Sequence, residues 1–203
     1  MLKRLMAVLM AGLVISVSNP AIAETEALDA VRTSVEAILE SLKDKELDAE
    51  SRREQMRAAI KDRFDFRAMS QRTLATNWKK ASDEEKQQFI ELFTQLIENS
   101  YVDKIESYTN ETVEYPGAKV KGKKAIVDTL IITASADIPV NYKLYRKGEE
   151  WLVYDVIIEG VSLINNYRSS YKEIVKKEGI TGLLAKMQDK LNEVDPAPSD
   201  QPS

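Results

Sequence analysis

Residues 138–177 read IPVNYKLYRKGEEWLVYDVIIEGVSLINNYRSSYKEIVKK, and this stretch decides the fold. Ile138, Val140, Tyr142 and Leu144 fall on one side of an alternating run, with Asn141 and Lys143 on the other. That is the period of a half-buried strand. Lys147-Gly148-Glu149 is a polar turn around a residue that tolerates positive φ. From Trp151 to Ile158 both faces are apolar: Trp151, Val153 and Ile157 on one, Leu152, Tyr154, Val156 and Ile158 on the other. Such a strand is covered on both sides, or faces something apolar other than the protein's own core. Gly160 ends it, and Val161, Ile164, Tyr167, Tyr171 and Ile174 recur at helical spacing.

Upstream, the runs near 112–121 and 124–133 precede the strands at 138–147 and 150–158, with a turn expected at Pro116-Gly117. Their short separations predict an antiparallel meander, since parallel pairing needs long crossovers. Helices precede the sheet. Leu28, Val31, Val35, Ile38, Leu39 and Leu42 predict a helix over 27–43, and Met56 and Ile60 a sparser one over 48–63. Phe64-Asp65-Phe66, with Met69, Leu74 and Trp78, reads either as a short helix pinned into the core or as a cavity wall. Ser82 and Glu85 form a capping-box start for a helix whose wide stripe runs from Phe89 through Phe93 and Ile97 to Tyr108. Leu183, Leu184, Met187 and Leu191 predict a last short helix after Gly179. The expected fold is α+β, a four-stranded curved antiparallel sheet wrapped by N-terminal and C-terminal helices.

The termini read differently. Lys3 and Arg4, the apolar run Leu5 to Val17 and the small residues Ala21-Ile22-Ala23 form a secretory signal peptide over 1–23. A single domain over 24–194 and a disordered tail over 195–203 are expected. No Cys follows the apolar run, so a lipoprotein is not expected. Losing Lys3 and Arg4 takes the formal net charge from −4 to −6. That acidity argues against nucleic acid as a partner.

The 203 residues include no Cys and no His. Thiolate metal sites are excluded, and the commonest general base and metal ligand are missing. Gly117 to Lys124 nearly matches a phosphate-binding loop, but Lys124 stands where a hydroxyl must hold magnesium, and a strand follows instead of a helix. Asp155, Glu159 and Arg168 form either a polar set for acid–base chemistry or a strand-end ion pair or cap, the reading favoured here. What remains is an abundance of apolar and Tyr side chains. Tyr101, Tyr108, Tyr142, Tyr145, Tyr154, Tyr167 and Tyr171 suit the mouth of an apolar cavity, and an ordinary core fits equally well.

WLVYDVIIEGVSLINNYRSSY over 151–171 resembles the signature of the MlaC family, also called the toluene-tolerance auxiliary family. The likeness extends to Phe64-Asp65-Phe66 with Met69, Leu74 and Trp78, to Phe89, Phe93 and Tyr101, and to Ile138-Pro139-Val140. Ala75 departs from it, since family members often have Gly before the Trp. The resemblance implies an NTF2-like cone with added helices. It implies a periplasmic carrier that moves phospholipid between the outer and inner membranes of Gram-negative bacteria and maintains outer-membrane asymmetry. The implied partners are an inner-membrane ABC transporter with an MCE-domain subunit and an outer-membrane lipoprotein–porin complex. On that reading the protein is a monomer and not an enzyme, and phospholipid is cargo with no cofactor. The expected tail-binding residues are Leu92, Leu96, Tyr101, Ile105, Val127, Thr129, Ile131, Val140, Tyr142, Val153, Tyr154, Val156, Val161, Leu163, Ile164 and Tyr167. Both faces of 153–156 are included because a one-residue slip exchanges them. Two alternatives stand beside the carrier: an adaptor with a filled core, and an NTF2-like enzyme that needs Asp155 or Asp128 facing an open cavity.

Overall fold

A computed structural model describes residues 20–108 and 111–194. Most of the expected leader (1–19) and the whole expected tail (195–203) lie outside the described residues. The fold is α+β. Helices α1 (Pro20–Lys43), α2 (Ala49–Arg63), α3 (Phe66–Leu74) and α4 (Asp83–Glu106) precede the sheet. Strands β1 (Thr112–Lys121), β2 (Lys124–Ile132), β3 (Asp137–Lys147), β4 (Glu150–Ile158) and β5 (Val161–Ser162) follow, then α5 (Leu163–Val194), two helical segments joined across a kink at the expected break, Gly179 (φ 73°). The strands pair antiparallel in chain order, as a meander.

The sheet has five strands, not the expected four. After β4 the chain reverses through Glu159 (φ 50°) and Gly160 (φ 81°), and Val161 and Ser162 pair back onto Ile158 and Ile157. Two residues are too few to show a period of two, so they read as the start of the helix. Helix α1 runs back to Pro20, seven residues before its expected start. Pro116-Gly117 is a bulge inside β1, where the register shifts between Glu114 and Gly117, and not a turn. An edge strand tolerates that proline because its missing N–H disturbs no ladder. The near phosphate-loop sequence is the β1–β2 hairpin, with Lys121 opposite Lys124.

The buried side chains form two clusters. The first joins α2, α3, α4 and α5 around Met56, Met69, Phe89, Phe93 and Leu183. Phe89 and Phe93 stack at 5.4 Å, and Tyr167 and Tyr171 of α5 meet them edge-on at 5.2 and 5.9 Å. Each such pair adds about 0.5–1.5 kcal/mol beyond its buried area. The second cluster lays α1 on the sheet through Ala23, Ala27 and Val31 against Val127, Leu144 and Val153. Small residues let α1 approach the strands closely. Phe64 packs against both clusters and marks the seam between them.

The Phe64-Asp65-Phe66 segment is pinned at that seam. Phe64 bridges to Val153, and the Asp65 N–H donates to the Val153 carbonyl at 2.9 Å. The Asp65 carboxylate caps α3 by accepting from the Ala68 N–H at 2.8 Å, and it also accepts from the Tyr145 hydroxyl. Burial works against its charge. The hydrogen bonds from Tyr145 and Ala68 and the nearby Lys147 outweigh that and hold the group below the ordinary carboxylate range. At the far end of α3, Ala75 sits at φ 51°, ψ −119°, before the 3-10 turn Ala75–Lys79. An L-residue there is strained by about 1–3 kcal/mol. Ala75 is exposed, so a glycine loses no packing. Ala75→Gly should raise stability by about 1 kcal/mol. Chemical denaturation checks this, and a variant no more stable than the parent would contradict it.

Candidate functional site: an apolar cavity at the seam

The two clusters do not meet everywhere. Between them lies a cavity of about 340 Å³. Helix α1 contributes Val31, Ser34, Val35 and Ile38, at the three- and four-residue steps of one helical face. Ile60, Arg63 and Phe64 come from the end of α2, and Ile97, Tyr101, Lys104, Ile105 and Tyr108 from α4 and the residues after it. The sheet supplies Ile131, Ile138, Val140, Tyr142, Val153, Val156 and Ile158, and Glu159 and Leu163 complete the wall.

A β-bulge makes the sheet side of this wall continuous. Lys143 pairs with Asp155, but Leu144 pairs with Val153, so Tyr154 is the extra residue. A bulge of one residue inverts the alternation beyond it. Val153 therefore shares its face with Val156 and Ile158. This corrects the expectation that β4 is a regular strand apolar on both faces. One apolar set changes parity at Tyr154 and stays on the cavity side. Tyr154 itself lies under Arg72, whose guanidinium carbon is 4.2 Å from the ring centroid.

The wall is apolar, with few polar groups. Tyr142 reaches into it, and burial pushes its phenol up to about 12, partly offset by a hydrogen bond with Thr129. Burial also raises Tyr101. Arg63 is neutralised in place: it donates to the Trp151 carbonyl at 3.1 Å and to Ser34 Oγ at 3.3 Å, and pairs with Asp62 at 3.5 Å. Lys104 and Glu159 are the exposed lining residues and mark the mouth. Lys104 Nζ stands 5.5 Å from the Tyr101 ring centroid and forms no ion pair among the described residues.

Magnitudes say what such a space is for. At about 24 cal/mol per Å³, a closed void of this size forgoes on the order of 8 kcal/mol of packing. That rivals the whole stability of a domain, roughly 5–15 kcal/mol. The open mouth lowers the cost, and an apolar occupant would recover it. At about 30 Å³ for a group the size of a water molecule, the cavity holds roughly eleven such groups, a length of one hydrocarbon chain.

Eight of the sixteen expected residues line this cavity: Tyr101, Ile105, Ile131, Val140, Tyr142, Val153, Val156 and Leu163. Leu96 and Tyr167 line an adjoining depression of about 470 Å³ that shares Tyr101, Lys104 and Leu163 with it. Leu92 and Ile164 are packed in the helical cluster. Val127 and Thr129 are buried on the same sheet face, with Thr129 donating to the Val140 carbonyl at 2.9 Å. Val161 is 61% exposed on β5 and is not among the lining residues, although it pairs with Ile158, which is. The sequence reading missed the α1 residues, although Val31, Val35 and Ile38 were visible as a helical stripe. It also missed Ile138 and Ile158, whose alternation with Val140 and Val156 was the available signal. The two readings of 64–78 divide: Phe64 is a wall residue, whereas Phe66, Met69, Leu74 and Trp78 are core.

Of the carboxylates weighed for chemistry, Glu159 is at the mouth, whereas Asp155 and Asp128 sit elsewhere. Asp155 is 5% exposed and fully engaged. It pairs with Lys143 Nζ at 3.1 Å and accepts from the Ser162 hydroxyl at 2.8 and 3.0 Å and from the Ile164 N–H at 3.2 Å. It thus ties β3 and β4 to the start of α5, a cap of the kind favoured from the sequence, with Lys143 as the ion-pair partner. Arg168 does not join it, and donates from Nε to the Arg72 carbonyl at 2.8 Å instead. Asp128 accepts from Asn141 at 2.6 Å. Neither Asp155 nor Asp128 is among the residues lining the cavity. The adaptor reading required a filled core, which this seam is not.

Comparison with known proteins gives a consistent picture. The family model described as MlaC protein matches residues 32–189. A Haemophilus influenzae protein named intermembrane phospholipid transport system binding protein MlaC is 31% identical over 123 residues, covering 58% of this chain and 58% of that protein. Toluene tolerance protein ttg2D of Pseudomonas putida is 28% identical over 103 residues, covering 50% of this chain and 48% of that protein. The chain thus aligns with roughly half the length of these two relatives. Among solved structures, a phospholipid-binding protein from Ralstonia solanacearum, in complex with a phospholipid, superposes with a TM-score of 0.77 at 22% identity, over 83% of this chain and 98% of that one. At that identity the likeness is one of fold.

Proposed function

The chain belongs to the MlaC protein family, and on that premise we propose that it is a periplasmic phospholipid carrier, exported by a leader ending at Ala23. The observation that carries the proposal is the apolar cavity of about 340 Å³ at the seam of two clusters. Support also comes from the relative named for intermembrane phospholipid transport and from the structural neighbour with bound phospholipid. An acyl chain enters between α1, α4 and the sheet. The headgroup stays at the mouth, beside Lys104 and Glu159.

Exposing hydrocarbon to water costs about 0.8 kcal/mol per CH₂, on the order of 20 kcal/mol for two ordinary chains. Free diffusion of lipid across an aqueous gap is therefore negligible. A cavity that exchanges hydrocarbon for hydrocarbon brings transfer close to neutral. Such a carrier needs neither a cofactor nor a catalytic base. Direction comes from its partners, which we take to be an inner-membrane ABC transporter with an MCE-domain subunit and an outer-membrane lipoprotein–porin complex.

The test is transfer of a pyrene-labelled phospholipid from donor to acceptor vesicles. The rate should rise in proportion to carrier concentration, well above the spontaneous rate. A rate independent of the protein would contradict the proposal.

A further inference from the structure

A second hollow, of about 730 Å³, shares no residue with the apolar cavity. It is a groove between α5 and the end of α3 with its 3-10 turn. Val175 and Ile180, both half-buried, give it an apolar floor beside the buried Leu74 and Tyr171. Lys80, Arg168, Lys172 and Lys176 line it as well, and no carboxylate does. None of these four cations forms an ion pair among the described residues. In a chain of formal net charge −4, four unpaired cations around one groove are out of balance with the rest of the surface. A second observation is independent of charge. Thr73 also lines the groove, is 2% exposed, and its hydroxyl has no hydrogen-bond partner in the structure. A buried polar group left unpaired is costly.

We infer that this groove docks an acidic amphipathic helix of a partner protein. Three of the cations, Arg168, Lys172 and Lys176, recur every four residues along α5. At about 1.5 Å rise per residue they form a row with a repeat of about 6 Å. A partner helix lying along α5 with carboxylates at i, i+4 and i+8 has the same repeat. Its apolar stripe, at i+3 and i+7, then meets the floor. A lipid bilayer fits less well, because its flat surface reaches the rim lysines and not the recessed floor.

The test uses the whole protein and a fluorescein-labelled three-turn helical peptide with Glu at i, i+4 and i+8 beside a Leu stripe. Fluorescence anisotropy should show saturable binding. The Lys80→Glu/Lys172→Glu/Lys176→Glu variant should bind at least tenfold more weakly. A control, Lys119→Glu/Lys121→Glu/Lys124→Glu on the exposed β1–β2 hairpin, changes the net charge equally and should bind as the parent does. All six lysines are exposed, and matching thermal unfolding of the variants checks that each is folded. Absence of saturable binding, or equal losses in both variants, would overturn the inference. So would a groove variant that loses sedimentation with anionic vesicles yet keeps the peptide. Lipid carriage need not change in any of these proteins, so the docking inference stands or falls apart from the carrier proposal.

Discussion

Val140→Trp will fold but purify with at most about a tenth of the parent's bound phospholipid. Val140 lies mid-strand in β3, opposite Thr129 of β2 and Ile158 of β4, and its side chain faces the cavity. It is 4% exposed, so nearly all of an added indole must enter the cavity or displace its walls. Overpacking a filled core costs about 1–3 kcal/mol. Here the empty volume takes the indole, so the cost falls on the ligand and not on the fold. Val161→Trp is the control. From the sequence the two positions looked equivalent, but Val161 is 61% exposed and outside the wall, so that variant should retain its lipid. Lipid phosphorus per mole of folded protein measures both. A folded Val140→Trp with its full lipid complement would remove this position from the site.

The second large effect is on stability. Asp155→Ala leaves the Lys143 ammonium, the Ser162 hydroxyl and the Ile164 N–H without their shared acceptor. Breaking one side of a buried pair costs about 3–5 kcal/mol. The Lys143 side chain is 28% exposed and can recover some hydration, so we expect about 2–3 kcal/mol, at or just below the lower end of that range. For a chain of this size that lowers Tm by about 5–10 °C. Asp155→Asn keeps an acceptor for Ser162 and Ile164 and should lose less. Calorimetry decides. An Asp155→Ala protein as stable as its parent would show that the α5 junction does not depend on this carboxylate.

Element types were legible because they rest on local signals. The capping box at Ser82 and Glu85 forms as expected, with reciprocal bonds of 3.1 and 2.9 Å. Asp48 caps α2 through the Ser51 N–H at 2.8 Å. Short turns between the apolar runs gave the meander. Long-range geometry was less legible. The bulge at Tyr154 is set by pairing with β3, so nothing local marks the parity change. Half of the expected lining residues fell elsewhere for that kind of reason. Leu92 and Ile164 face the helical cluster, and only packing tells one side of an apolar helix from another. Helix α1 was visible as a helix but not as a wall, because the wall exists only where Ala27 and Val31 have brought it onto the sheet. The fifth strand carries too few residues for any periodic signal.

Native mass spectrometry most directly tests the claim that the seam cavity holds a lipid tail. On the carrier proposal, the protein is released from the periplasm of a Gram-negative host and purified without detergent. We predict a stoichiometric adduct of phospholipid mass, lost in Val140→Trp and kept in Val161→Trp. A bare mass from folded protein that also fails to take up phospholipid offered back to it would contradict the account.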